Sequence, residues 1–230
     1  MKTKNASKQV SSEATVDKRA SRSDGQEARE RLFMAALKLF AEQGYAKTST
    51  REIATAAGVN ISAISYYFGD KQGLYRTVFC DKRYVPNLPH DFYDDTQLSL
   101  RDGVAALVRM NVDCLTQGEI AQNFMRLYIR EMVDPTGLWQ EEIEANIQPV
   151  HQGFVRFLAR HLQVARVDDD VHRLAFGIAG LALSLIANGD VIAIVRPKLV
   201  QSQTSIDVFA DRLTDYALAM CEAERQRRRD

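Results

Sequence analysis

The chain has 230 residues, 46% of them apolar and 26% charged, with Lys+Arg and Asp+Glu equal at 30 each. That is the make-up of an ordinary soluble globular protein, long enough to bury a real core as one large or two small domains. Three widely spaced cysteines (Cys80, Cys114, Cys221) form no CxxC or Cys/His metal spacing, which argues against a disulfide framework and for a reducing cytoplasm.

The balanced charge conceals an asymmetry. Residues 1–84 carry 15 basic against 9 acidic side chains, net +6, and residues 85–230 carry 15 against 21, net −6. A basic front and an acidic back point to a polyanion met by the front alone. Residues 1–24 are polar, rich in Ser, Lys and Arg and net +3. They are expected to form a disordered basic arm lying against phosphates or in a minor groove, or else an inert tail. No apolar h-region opens the chain, so no secretion signal is expected.

From Gln26 the pattern is helical. Leu32, Ala35, Ala36, Leu39 and Phe40 mark one apolar stripe, which Gly44 closes. Ser49-Thr50-Arg51-Glu52 fits a capping box opening a second helix through Ile53, Ala54 and Ala57 to Gly58. Asn60 is placed to cap a third helix ending at Gly69-Asp70, and a fourth is expected from Lys71 to Tyr84 around Leu74, Val78 and Phe79. Pro86, Pro89 and a polar stretch to Thr96 then separate this bundle from further helices near 98–116, 119–133, 138–163, 169–189 and 206–226. The apolar run from Leu174 to Ala187 is too short to span a bilayer and reads as a buried helix. The expected fold is all-α, a small N-terminal bundle joined to a larger helical domain.

Two helices joined by Gly58-Val59-Asn60 make a helix-turn-helix, whose second helix is a candidate for a major groove. At 100° per residue Ile64 and Phe68 share the inward face. Ser62, Ala63 and Tyr66 then face outward, flanked by Ile61 and Ser65. Small outward residues allow close approach to base edges, and an apolar one can meet a thymine methyl. Tyr66 and Tyr67 can donate to phosphate oxygens beside Lys71, with a purely structural Tyr67 as the alternative.

The stretch TSTREIATAAGVNISAISYYFGDKQGLY resembles the DNA-binding domain of the TetR family of bacterial repressors. Phe40, Gly44-Tyr45, Thr48-Ser49, Ile53-Ala54, Ala57-Gly58-Val59, Tyr66, Phe68 and Lys71 carry the likeness, in order and spacing, over about 50 residues. The resemblance implies a homodimer reading a palindromic operator in double-stranded DNA and released by a small-molecule effector, with no cofactor, metal or membrane. It divides the chain into an arm over 1–24, a helix-turn-helix domain over 25–84 and an effector-binding and dimerisation domain over 85–230. By position it makes Ser49 and Asn60 phosphate-facing helix starts, and Thr50 and Arg51 the opening of the second helix. Arg51 is then a candidate for guanine. Ile61, Ser62, Ala63 and Ser65 become base-facing, and Tyr66, Tyr67 and Lys71 hold the backbone. Ile61 departs from the family's pattern, where a polar or basic residue is common.

The back domain is less explicit. Ile120, Phe124, Leu127 and Tyr128 form a stripe on which Glu131 falls, either orienting a ligand or completing an internal ion pair. Trp139 and His151 are further pocket candidates, and a structural role for His151 is the alternative. RLYIREMVDPTGLWQEEIEANIQPVHQGF is similar to the CecR-type C-terminal domain through Arg130-Glu131, Pro135-Thr136 and Pro149. Gly177, Gly180, Ser184 and Ala187, with an amphipathic helix through Ile206, Phe209, Leu213, Tyr216 and Met220, are expected to build a two-fold interface. The run Arg225 to Arg229 reads as a solvated end. No Walker loop, GxSxG, HExxH or dinucleotide fingerprint supports catalysis, which leaves an imagined Glu131/His151 acid–base pair. Switching by oxidation of Cys80 or Cys114, or by a protein partner, stands as the alternative to a ligand.

Overall fold

The computed structural model describes residues 6–81, 83 and 88–229, with side chains described from Asp24 onward. All regular structure among these residues is helical, in two units that divide between Asp81 and Lys82. The boundary expected at Tyr84 falls outside the described residues. Of the expected arm, residues 1–5 also lie outside them, and helix α1 runs Ala6–Gln43.

The first unit holds α1, α2 (Thr50–Ala57), α3 (Ser62–Phe68) and α4 (Lys71–Phe79). Its core is Leu32, Phe33, Ala36, Leu37 and Phe40 of α1 against Ile53, Ala54, Ile64, Leu74, Tyr75 and Val78, all at most 3% exposed. Phe33, Leu37 and Ala41 are buried where the expected stripe had Ala35 and Leu39, which are only half-buried. Both α2 and α4 pack on α1, so its buried arc is broader and turned toward α4. Each start and stop has a local cause. Ser49 and Glu52 form the reciprocal capping box, and Gly58 ends α2 in the left-handed region at φ 64°. Asp70 caps α4, its Oδ1 accepting from the Gly73 amide at 2.7 Å. A Cβ on Gly73 would sit 2.0 Å from the Phe68 carbonyl oxygen, so the α3–α4 turn closes only over glycine. Helix α4 stops at Phe79, earlier than expected.

The second unit contains α5 (Leu100–Val112), α6 (Glu119–Val133), α7 (Leu138–Glu142), α8 (Gln148–Leu162), α9 (Asp169–Ala187), α10 (Gly189–Val195) and α11 (Gln203–Arg227). A π turn over Ile143–Ile147 joins α7 to α8, with the Gln148 amide donating to Ile143. Pro149 explains it: proline has no N–H and its ring collides with the carbonyl four residues back, so the preceding turn widens. Helix α10 was not expected, because its apolar residues show no polar side to mark a period.

The core joins Val104 and Leu107 of α5, Phe154, Phe157 and Leu158 of α8, Leu174 and Ile178 of α9, and Ala217 of α11. Gly103 lets α8 approach, since a Cβ there would meet the Phe157 ring at 2.2 Å. Tyr93, in the stretch read as a polar separator, is 2% exposed within this core, and its hydroxyl donates to the Gly103 carbonyl at 3.3 Å. By length and composition α9 passes for a membrane-crossing helix. It packs instead as a core helix against α5, α8 and α11 through Val171, Leu174, Ile178, Ala182 and Leu185.

Two expectations about this unit are revised. Ile206 and Leu213 pack inward with Ala182 and Leu185, and Gly177 admits Met220 within the same chain. Of the stripe assigned to a two-fold interface, Ile206 and Leu213 are therefore internal, whereas Gly180, Ala187 and Tyr216 are exposed. The terminal arginines are not a solvated end: Arg228 reaches Asp168 at 2.8 and 2.9 Å, and Arg227 reaches Asp170 at 2.6 Å. They tie the end of α11 to the start of α9.

Candidate functional site

The local geometry of the first unit leaves specific groups uncommitted. At the start of α2 the Ser49 hydroxyl accepts from the Glu52 amide and donates to the Glu52 carboxylate, which also accepts from the Ser49 amide at 2.8 Å. These bonds, the side-chain one first, hold the Glu52 carboxyl below its ordinary range. Ser49 is thereby consumed as a cap, so its expected role at phosphate passes to the next residues. The Thr50 and Arg51 amides are the helix's remaining N-terminal donors, aimed where the macrodipole favours an anion. Arg51 is exposed, and no hydrogen bond or ion pair ties its guanidinium among the described residues.

Asn60 caps α3 through Oδ1, which accepts from the amide and hydroxyl of Ser62 at 2.9 Å each. Ile64 is 2% exposed, which turns Ile61, Ser62 and Ser65 outward, with Ala63 half-buried. Thr50, Ile61, Ser62, Ser65, Asp70 and Lys71 line one concavity of about 360 Å³ between the starts of α2, α3 and α4. The structure thus brings five of the expected DNA-facing residues, Thr50, Ile61, Ser62, Ser65 and Lys71, onto one surface.

The three rings divide. Tyr66 is 81% exposed and packs edge-on to Tyr67 with centroids 4.8 Å apart. Tyr67 is half-buried, its hydroxyl beside Gly25 of α1. Phe68 is also half-buried rather than fully inward, with the Arg29 guanidinium 5.2 Å from its ring centre. Lys71 lies 4.2 Å over the Tyr45 ring; burial lowers its pKa and the Glu52 charge opposes the shift. Tyr45 is a positioning residue that periodicity alone does not single out.

In the second unit the expected effector residues separate. Phe124 is fully buried in α6. Tyr128 meets Trp139 edge-on at 5.1 Å, and its hydroxyl bonds Glu142; burial and that carboxylate raise its pKa. Glu131 is fully buried and accepts from the amide and hydroxyl of Thr136 at 2.8 and 2.9 Å, so it braces the α6–α7 turn. His151 belongs to a different cluster, 2.9 Å from His172 and stacked 4.3 Å from Phe176 of α9. Burial, and then His172, lower its pKa. Glu142 and His172 were missed by sequence reasoning, because their partners lie on other helices. Among the described residues no group of three or more His, Cys, Asp or Glu is placed to hold a metal.

Residues 32–78 match the family of bacterial regulatory proteins of the tetR type, and residues 100–223 match the C-terminal domain of the HTH-type transcriptional dual regulator CecR. The chain belongs to the TetR family. Its first unit carries the TetR-type helix-turn-helix, and its second the CecR-type C-terminal domain. It is 32% identical over 146 residues to the HTH-type transcriptional dual regulator CecR of Shigella flexneri, covering 59% of this chain and 65% of that one. Against the probable regulator YttP of Bacillus subtilis it is 46% identical over 122 residues, 49% of this chain and 54% of the relative. The matched stretches span less than two thirds of these TetR-type relatives. Two solved structures share the fold. NalD, described as the secondary repressor of the MexAB-OprM multidrug efflux pump in Pseudomonas aeruginosa, has a TM-score of 0.62 at 22% identity, covering 86% of this chain and 97% of its own. HlyIIR, a hemolysin II transcriptional regulator, has 0.57 at 20%, covering 83% and 98%.

Proposed function

We propose that this TetR-family protein is a ligand-responsive repressor: a cytoplasmic homodimer that binds a palindromic operator and releases it when a small molecule occupies the second unit. The observation that carries the reading is the surface around the α2–α4 concavity. The Thr50 and Ser65 hydroxyls line it, and the same two helices carry the exposed Arg51 and Tyr66 and two uncapped N-terminal amides. Amides, Tyr66 and Lys71 hold phosphates, and Arg51 and the outer side of α3 read bases. In the second unit Tyr128 and Trp139, braced by Glu142, are the proposed ligand wall, with Phe124 behind. Glu131 braces the adjoining α6–α7 turn, and His151 stays in its separate cluster with His172 and Phe176.

An exposed apolar face supports the dimer. Phe176, Val208 and Tyr216 are 62%, 55% and 57% exposed on α9 and α11, and a Cβ on Gly180 would meet nothing. Burial pushes the Cys114 thiol up to about 12 and that of Cys221 to about 11, which keeps both unreactive. This removes Cys114 as a redox switch, whereas Cys80, the other candidate, is exposed. The relative CecR is named a dual regulator, so the second reading is a protein that also activates.

Duplexes selected from a random pool test the reading. One palindromic sequence should emerge, and its affinity should fall steeply with salt. Recovery of no preferred sequence would refute it.

A further inference from the structure

We propose that Ile61 and Ser65 recognise one thymine in each half-site, the isoleucine covering its 5-methyl group and the serine hydroxyl donating to its O4. The inference rests on the DNA-reading role proposed above and names the base that this face accepts. Ile61 already has helical geometry at φ −55° and ψ −31°, so its side chain lies one turn from that of Ser65 on the same side. Both line the concavity between α2, α3 and α4.

Of the other polar side chains there, all but the Thr50 hydroxyl are committed. The Ser62 hydroxyl donates to Asn60, the Asp70 carboxylate caps Gly73, and the Lys71 ammonium lies over the Tyr45 ring. The Ser65 hydroxyl makes no hydrogen bond among the described residues, and Ile61 leaves 48% of its surface in water. What remains for a base edge is an aliphatic surface beside a short donor. In the major groove, guanine shows two acceptors, adenine an acceptor and a donor, and cytosine a donor. Thymine alone pairs a methyl group with an acceptor. Guanine is best met by a long cation, and Lys71, the cation that lines this concavity, is held over Tyr45, so the pair fits thymine.

The test replaces thymines of the selected operator one at a time with deoxyuridine, which removes only the methyl group. At one position per half-site wild-type affinity should fall about fourfold, the value of one buried methyl. The Ile61→Ala protein should bind the thymine and uracil duplexes equally at that position, with an unchanged melting temperature because Ile61 lies outside the core. At the same position 4-thiothymine, a poorer acceptor, should weaken the wild type and leave Ser65→Ala indifferent. Uniform tolerance of uracil by the wild type would overturn the proposal, as would uracil sensitivity persisting in Ile61→Ala or thio-sensitivity persisting in Ser65→Ala. Those outcomes leave sequence-specific binding intact. A selection that yields no preferred sequence overturns the DNA-reading role itself.

Discussion

At the scale of single residues, the contrast between Arg51 and Lys71 decides what each can do. Arg51 extends freely from the first turn of α2, whereas Lys71 is held over a ring. Arg51→Ala is therefore expected to relax base choice at one position per half-site, costing about 1–3 kcal/mol for the preferred base, read by competition among operator variants. A uniform loss over all sequences would make Arg51 a phosphate contact. Tyr66→Phe removes one exposed hydroxyl and should weaken specific and non-specific binding together at fixed salt; equal affinities would end its phosphate role. The outward placing of Ile61, Ser62, Ser65 and Tyr66 was legible from helical period. The loss of Ser49 to its own cap was half legible, since a capping box states which hydroxyl is spent. Tyr67 was not legible: whether its ring meets phosphate or Gly25 depends on where α1 passes.

At the scale of elements, two close approaches hold the parts in register. A methyl group on Gly73 collides with backbone, which cannot swing aside as a side chain would. Gly73→Ala should cost about 1–3 kcal/mol and weaken DNA binding as well, because α3 and the concavity shift with the turn; thermal melts and operator titrations measure both. Unchanged stability and affinity would show that the turn has slack. Helix starts and stops with local chemistry, such as Ser49, Gly58 and Asp70, could be read directly. The π turn before Pro149 was not, although proline announces a break, because the chain can answer it with a kink, a stop or a widened turn. Nor was the burial of Tyr93, whose partners lie on α5 and α8.

At the scale of the whole molecule, the two ends of the second unit's helices are joined by charge. Arg228, with the Val171 and Asp170 amides, holds the Asp168 carboxyl well below its ordinary value near 3.8. The folded pKa lies under the unfolded one, so the contribution is complete above the ordinary carboxylate range and fades as pH falls through it. Arg228→Ala should therefore lower the melting temperature slightly at neutral pH, and the difference should shrink as pH falls below the ordinary carboxylate range. A gap that persisted in acid would mean packing by the arginine stem. Tyr216→Glu, on the uncovered face of α11, should shift sedimentation from dimer to monomer and reduce operator affinity; an unchanged dimer would place the interface elsewhere. Regulation is tested by linkage: an inducer must bind more weakly to the operator complex than to free protein, and equal affinities would refute the switch.

The all-helical class, the helix-turn-helix with its caps and outward small residues, and the membership of the TetR family were determined by the sequence itself. They rest on local signals: period, capping chemistry and glycine at tight turns. Tertiary structure alone decided which polar groups are already spent. Glu131 is satisfied by Thr136, His151 by His172, Arg228 by Asp168, and Gly177 makes room for Met220. A side chain's pattern states that it faces inward, but the partner it meets there depends on how distant helices pack, and that information is not local.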